Sequence, residues 1–300
     1  MAKQIGWLVY NGGLNSAKFH EIHDWYRQTA KRKGLSLELV ANHELMSVME
    51  GGQAVVKWNG NIERPDFVLF LDKDIRLARQ LEQQGFRLFN QADVIEVCDD
   101  KTATFQALAG KGIRMPKTIL APLMFEGTKE QDDSFINRIE HELSYPMVIK
   151  EAYGSFGEQV YLVRNREELA ARRKGLLYVP HLYQEFMESS AGRDVRIHVV
   201  GGKVVAAMMR VSETDFRANV TNGGIMRPFE PSPAFSAMAI AASEQVGADF
   251  SGVDLLFGED GNPVLCEINS NAHIKNIYDC TGIDVTEAIF DHIIQAVVGQ

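Results

Sequence analysis

The sequence predicts an α/β unit followed by α+β lobes, and three observations carry that reading. Strand-like apolar runs alternate with helical periods over the N-terminal third, the pattern of a small open sheet with helices packed on it. From about Gln184 onward, strands and hairpins dominate instead. The chain has 300 residues, 45% of them hydrophobic, with a mean hydropathy of -0.15, enough to fill two or three packed lobes.

Taken in order, "IGWLVY" reads as a buried strand, and "NGGLNS" leads into a helix carrying Phe19, Ile22, Trp25 and Tyr26 at helical spacing, closed by Gly34. "LSLELV" and "DFVLFL" are further strands, followed by the helical "KDIRLARQLEQQG" and a short "FRLFN". From Asp99 come a helix with an acidic start, "DDKTATFQALAGKG", the strand "PKTIL", a polar helical stretch near Asp132 to Leu143, and the strand-loop-strand unit "YPMVIKEAYGSFGEQVYLV". The rest holds the strand "LYQEFM", the hairpin "RDVRIHVVGGKVVAAMMRV", a helix from Pro233 to Gln245, a second hairpin, and a closing helix from Val285. Natural divisions are 1–95, 96–184 and 185–300.

Composition removes several function classes. A net charge of -9 and a pI near 5.4 give no footprint for a nucleic-acid backbone, though a local basic cleft can still hold a small anion. Cys98, Cys266 and Cys280 are odd in number and form no CxxC, which argues against a disulfide framework or a zinc site and fits a reducing cytoplasm. No run approaches the roughly 18 apolar residues of a membrane span, and no targeting segment is read. A homo-oligomer is compatible with all of this. His20 and His23 lie three apart rather than at the spacing of a zinc helix, and suit core packing.

"VDLLFGEDGNPVLCEIN" poses a physical problem. Asp260-Gly261 between apolar runs signals a two-residue hairpin turn. Counting from it sets Glu259 against Asn262, Gly258 against Pro263 and Asp254 against Glu267. Pro263 then occupies a non-hydrogen-bonded position, where its missing N–H loses no ladder bond. Asn269 shares the Glu267 face, with Gly252 opposite leaving space above it. Two facing carboxylates destabilise a sheet by up to about 1 kcal/mol. A cation between them turns repulsion into ligation, and hard oxygens suit Mg²⁺ brought in with substrate phosphates. The alternative is that one carboxyl is protonated or that both splay into water.

Three further stretches carry chemistry. Lys150 ends a strand, and Gly154 and Gly157 flank Ser155-Phe156 before the next, so backbone N–H groups there can approach an anion. The P-loop ending is absent, and the loop alone equally fits an ordinary hairpin. "QEFMESSAGRDVR" can offer backbone groups to a base edge and a carboxylate to ribose, or be a plain β-arch with solvated charges. "DFRAN" puts Arg217 and Asn219 on one face if extended, where an arginine can grip a phosphoryl or carboxylate group bidentately, or simply lie on the surface.

In this order, Lys101, Lys150 with its glycine flap, "QEFM", "GRDVR", "DFRAN" and "GVDLLF…PVLCEINSN" resemble the RimK-like glutamate ligase branch of the ATP-grasp superfamily, over about residues 95 to 290. The resemblance implies a Rossmann-like preceding domain and two α+β lobes that grip ATP between them. It implies that Lys101 and Lys150 contact the ATP phosphates under the flap Gly154, Ser155, Phe156 and Gly157. Phe186 and Met187 would meet adenine, with Glu185 beside them, Asp194 would reach ribose, and Arg217, next to Asn219, would bind the transferred phosphoryl. Asp254, Glu267 and Asn269 would hold two Mg²⁺ ions, with Mn²⁺ as the alternative metal. The implied reaction joins a carboxylate-bearing substrate to an amino acid such as glutamate through an acyl phosphate. A phosphotransferase on the same fold, or a nucleotide-binding regulatory relic, are the competing readings. Where many members continue with Ser-Pro-Gly after the metal Asn, this chain has "SNAHIKNIY". Asn271, His273 and Lys275 are thereby candidates to face the acceptor, Lys275 as a carboxylate anchor and His273 as a group that donates or accepts a proton near neutral pH, or to belong to a solvated loop.

Overall fold

The computed structural model describes residues 4–58, 64–128, 132–155, 157–220 and 223–298. The N-terminal unit runs β1 (Ile5–Tyr10), α1 (Ala17–Arg32), β2 (Ser36–Ala41), a hairpin of β3 (Met46–Glu50) and β4 (Gln53–Lys57), β5 (Phe67–Leu71), α2 (Ile75–Gln83) and β6 (Leu88–Phe89). Its main sheet is parallel in the order β2-β1-β5-β6. Both faces of β1 are covered, which is why Trp7, Leu8 and Val9 form an unbroken apolar run.

Next come α3 (Ala92–Asp99), α4 (Lys101–Leu108), β7 (Thr118–Leu120), α5 (Ser134–Glu142), β8 (Met147–Glu151), β9 (Val160–Val163), α6 (Arg166–Gly175) and β10 (His181–Glu185). The strands make an antiparallel sheet ordered β7-β10-β8-β9. The Asp100 carboxylate caps α4, accepting from the N–H groups of Thr102 and Ala103. The last unit holds β11 (Arg193–Val200), β12 (Lys203–Val211), β13 (Ile225–Pro228), α7 (Pro233–Gln245), β14 (Phe250–Phe257), β15 (Pro263–Asn269), α8 (Ile274–Thr281) and α9 (Val285–Val298). Its sheet is antiparallel, ordered β13-β12-β11-β14-β15.

The cores cross these units. Val94, Cys98 and Leu108 pack with Val195, Phe235, Val253 and Leu265, so α3 and α4 lie on the C-terminal sheet. Ile22, Tyr26 and Phe67 of the N-terminal unit pack with Ile274, Ile277 and Phe290, so α8 and α9 tie the two ends of the chain together. Among the described residues no helix is long and apolar enough to cross a membrane.

The hairpin corrects one expectation and keeps another. Gly258 N–H donates to the Asn262 carbonyl (2.8 Å) and Gly261 N–H to the Gly258 carbonyl (2.9 Å), so the loop is three residues, Glu259-Asp260-Gly261, with Gly261 at φ +74°. Gly258 therefore pairs with Asn262, and Pro263 faces Phe257 rather than Gly258. Pro263 still costs no ladder bond. The Phe257 N–H and carbonyl point the other way, to the Ser190 and Ser189 hydroxyls at 3.0 and 2.7 Å. A register shift between Asp254 and Leu255 then inserts Cys266 as an extra residue, which restores Asp254 opposite Glu267 and Gly252 opposite Asn269. The space expected above Gly252 is taken: a Cβ there would lie 2.3 Å from the Ala272 Cβ.

Candidate active site

A cavity of about 620 Å³ opens between the three units. It is lined by Lys101, Lys150, Gly154, Ser155, Gly157, Glu185, Phe186, Met187, Asp194, Arg217, Asn219, Asp254, Glu267, Asn269, Asn271 and His273. Residues drawn from positions 101 to 273 thus converge on one surface. Phe156 lies outside the described residues.

Lys101 and Lys150 are both buried, each 7% exposed. Lys101 sits in the first turn of α4 and its Nζ donates to the Gly154 carbonyl at 3.2 Å. Lys150 stands on β8 with the Cys266 sulfur 3.8 Å from its Nζ. Neither has a carboxylate partner among the described residues, and a buried ammonium without one is costly. An anion entering the cavity would supply that partner. Across the cavity, Phe186, Met187, Val148 and Leu256 provide apolar surface. The bulge at Cys266 turns both Cys266 and Glu267 toward it.

The flap rests on the "DFRAN" loop. Arg217 Nη1 donates to the Gly157 carbonyl at 2.6 Å, while its Nε and Nη2 grip Asp215 at 3.0 and 2.7 Å. Those bonds to Asp215 raise the Arg217 pKa further. At Gly157, with φ +75°, an added Cβ would meet the Asn219 Oδ1 at 2.5 Å, so only glycine lets the flap close down on that loop. From the N-terminal unit, Lys73 pairs with Asp99 and reaches the Ser155 hydroxyl at 3.5 Å.

What stabilises Asp254 beside Glu267 is a pair of arginines that the sequence reading did not include. Arg196 donates bidentately to Asp254 at 2.7 and 2.6 Å. Arg210 Nη2 donates to it at 2.9 Å and also grips Asp194 bidentately at 2.7 and 2.8 Å. Burial alone would raise the Asp254 pKa, but the two guanidinium groups outweigh it and hold it at about 2. The carboxylate is therefore neither protonated nor splayed into water. The Asn269 amide extends the chain, donating to Glu267 Oε1 at 2.9 Å and accepting from Arg196 Nη2 at 3.2 Å. Asp194 lines the cavity with its oxygens committed to Arg210.

Lys275 is a correction. It is not on the cavity wall: the stretch after Asn269 forms α8, and Lys275 Nζ pairs with Glu21 of α1 at 3.1 Å. Asn271 does face the cavity, its Nδ2 donating to the Leu71 carbonyl at 3.1 Å. His273 precedes α8 with its Nδ1 buried and unpartnered. Burial, reinforced by Lys18 and Arg196, pushes its pKa down to about 4. His198, on the Asp194-Arg196 face of β11, is pushed down to about 3 by burial and Arg196. Both imidazoles fold neutral and regain protons on unfolding below their ordinary pKa near 6.5. Their contribution to stability is complete above pH 6.5 and is lost as pH falls toward 4 and 3. Chemical denaturation at pH 7 and pH 5 should show a loss of about 1 kcal/mol per pH unit for each, with His198→Asn removing its share of the slope.

A family model described as the RimK-like ATP-grasp domain matches residues 98–293. The chain belongs to the RimK-like ATP-grasp family. This RimK-like chain is 34% identical over 271 residues to "Beta-citrylglutamate synthase B" of Homo sapiens, covering 86% of the chain and 68% of that protein. It is 36% identical over 224 residues to "N-acetylaspartylglutamate synthase A" of Homo sapiens, covering 74% of the chain and 56% of that protein. It spans between about half and two thirds of the length of these two relatives. Its fold matches that of the ATP-grasp ligase PsnB complexed with minimal precursor, with a TM-score of 0.71 at 18% identity, covering 100% of this chain and 99% of the other.

Proposed function

We propose that the protein is an ATP-dependent carboxylate-amine ligase that adds an amino acid, glutamate being the first candidate, to a carboxylate acceptor. The observation that carries this is the pair of buried ammonium groups of Lys101 and Lys150, without a carboxylate partner among the described residues, facing one cavity beside an apolar slot. A triphosphate neutralises the lysines, and a purine fills the slot against Phe186, Met187 and Leu256, with Glu185 and Asp194 on the ribose side.

The donor set fits a divalent cation. Asp254, Glu267 and Asn269 line the cavity together, and their side-chain oxygens are the hard donors that Mg²⁺ prefers when it arrives with phosphates. Both Asp254 oxygens accept from arginine, so Glu267 and Asn269 would be the readier ligands, and Asp254 would join them only by giving up arginine bonds. When bound, Mg²⁺ supplies Lewis-acid stabilisation of the phosphate oxygens; two ions, or Mn²⁺ instead, are part of this proposal.

The chain's own groups do the rest by position and charge. Lys101 and Lys150 hold the polyphosphate, and Ser155 and the flap cover it. An oxygen of the acceptor carboxylate attacks the γ-phosphorus, the bond to the ADP oxygen breaks, and an acyl phosphate forms, with Arg217 and Arg196, both on the cavity wall, near its charge. The amine lone pair then attacks the acyl carbon, the C–O bond to phosphate breaks, and the amine loses its proton.

Lys150→Met separates this reading from a structural role for the lysine. Removing a buried cation that has no carboxylate partner among the described residues should leave the melting temperature of the ligand-free protein unchanged or higher, while weakening ATP binding at least tenfold by calorimetry. Lower stability with ATP affinity intact would overturn the assignment. Release of phosphate with ADP only when both substrates are present distinguishes a ligase from a phosphotransferase.

A further inference from the structure

The cavity has one end that the ATP placement proposed above leaves free. Beyond Asn269 it continues past Asn271 and His273 to the N-terminal unit, where Tyr10 at the end of β1 and Phe19, Ile22 and Tyr26 of α1 form its wall. The spacing of 19, 22 and 26 puts those three side chains on one helical stripe. His23 also lines it, its ring tilted at 45° to that of Tyr10 with centroids 4.2 Å apart, and the His273 ring lies 6.5 Å from that of Phe19. The only cation lining this end without an ion-pair partner among the described residues is Lys18, exposed at the rim. Lys73 is paired with Asp99, and Arg196 with Asp254. Neither the α1 segment nor residues 270–276 contribute a carboxylate to the lining.

Resting on the ligase reading above, we propose that the acceptor is an amphipathic acid: a carboxylate on an aromatic-sized apolar body that packs against the α1 wall, with a polar outer end at Lys18. A compact polyanion would meet apolar surface where each of its charges needs a partner, and at this end only Lys18 lacks an ion-pair partner among the described residues. A ring instead removes apolar area on both sides from water and stacks edge or face against Phe19, Tyr10 and His273. The reacting carboxylate then points back toward Asn269 and Arg196, the end at which phosphoryl transfer is placed.

The test uses the full-length protein with Mg²⁺-ATP and a pool of the twenty amino acids as amine donors, comparing ADP release for N-acetylphenylalanine, N-acetylaspartate and citrate over an acid-free control. N-acetylphenylalanine should be preferred at least tenfold in kcat/KM. Phe19→Ala should erase that preference, and Lys275→Ala, outside the cavity, should leave it intact. Calorimetric titration of the three acids into the complex with a non-hydrolysable ATP analogue and Mg²⁺ reads the wall independently of turnover and of how well the Phe19 variant folds. A preference for citrate or N-acetylaspartate, or no binding of N-acetylphenylalanine, would overturn the proposal and leave the ligase reading standing. Binding of N-acetylphenylalanine without ADP release from any donor would keep the wall assignment and sink the ligase reading.

Discussion

Arg210→Met should lower stability by roughly 3–5 kcal/mol, the range for breaking a buried ion pair by removing one partner. Arg210 is 4% exposed and bridges two buried carboxylates, gripping Asp194 with two bonds and Asp254 with one. Methionine fills much of the volume but leaves Asp194 with no ion-pair partner among the described residues, only the more distant field of Arg196, while Asp254 keeps the Arg196 fork. The penalty thus falls chiefly on Asp194. Adding Asp194→Asn to Arg210→Met should recover a substantial part of the loss, because the orphaned charge is then gone. Urea denaturation of the two single variants and the double variant measures this, and additive losses would show that the pair is not coupled. Acid supplies a second check with a definite sign. The Asp254 pKa is depressed to about 2, so its paired carboxylate contributes fully above an ordinary value near 4 and loses that contribution as pH falls through 2. From pH 7 down to pH 5 Asp254 adds no slope, while the imidazoles of His198, His273 and His23, all pushed down by burial, do.

The same residues show what a sequence can and cannot disclose. Ile5–Tyr10 is legible because burial on both faces imposes an unbroken apolar run, and Pro233–Gln245 because Ser232 caps a helix that opens on Pro233 and is rich in good helix formers. Helix α8 is not: the polar stretch "SNAHIKN" resembles a loop, and only packing of Ile274 and Ile277 against α1 and α9 makes it helical. Helicity is what turns Lys275 away from the cavity. The Asp254–Glu267 pairing was reached through two offsetting departures, a loop one residue longer than counted and a bulge at Cys266 that supplies the difference. Bulges have no signature in an apolar run, since the extra residue looks like any other strand residue. Arg210 was hidden for the same reason. A count from the Gly201-Gly202 turn sets Asp194 against Met209, and a register shift near His198 moves it to Arg210. Arg196 had a usable signal. It follows Asp194 by two along an evident strand, hence on the same face, and a cation on a face opposite Asp254 is an obvious partner.

Glu267→Gln should have the opposite profile to Arg210→Met, with catalysis lost and the fold kept. Glu267 is half-buried and its described partner is the Asn269 amide, with no arginine or lysine in ion-pair reach among the described residues. A glutamine of the same shape therefore strands no buried charge and relieves repulsion with Asp254, so the denaturation midpoint should hold or rise slightly. Turnover should fall by a factor on the order of 10²–10³, as expected when one preorganised charge facing the transferring phosphoryl is removed. The Mg²⁺ concentration for half-maximal ADP release should rise as well. A purely structural carboxylate would give the reverse, lower stability with the Mg²⁺ requirement unmoved, and turnover persisting in Glu267→Gln would remove this side chain from the metal set. Asp254→Asn cannot make that distinction, because it also leaves Arg196 and Arg210 with an uncharged partner. Glu267 is the informative position because it stands in the site without holding the fold together.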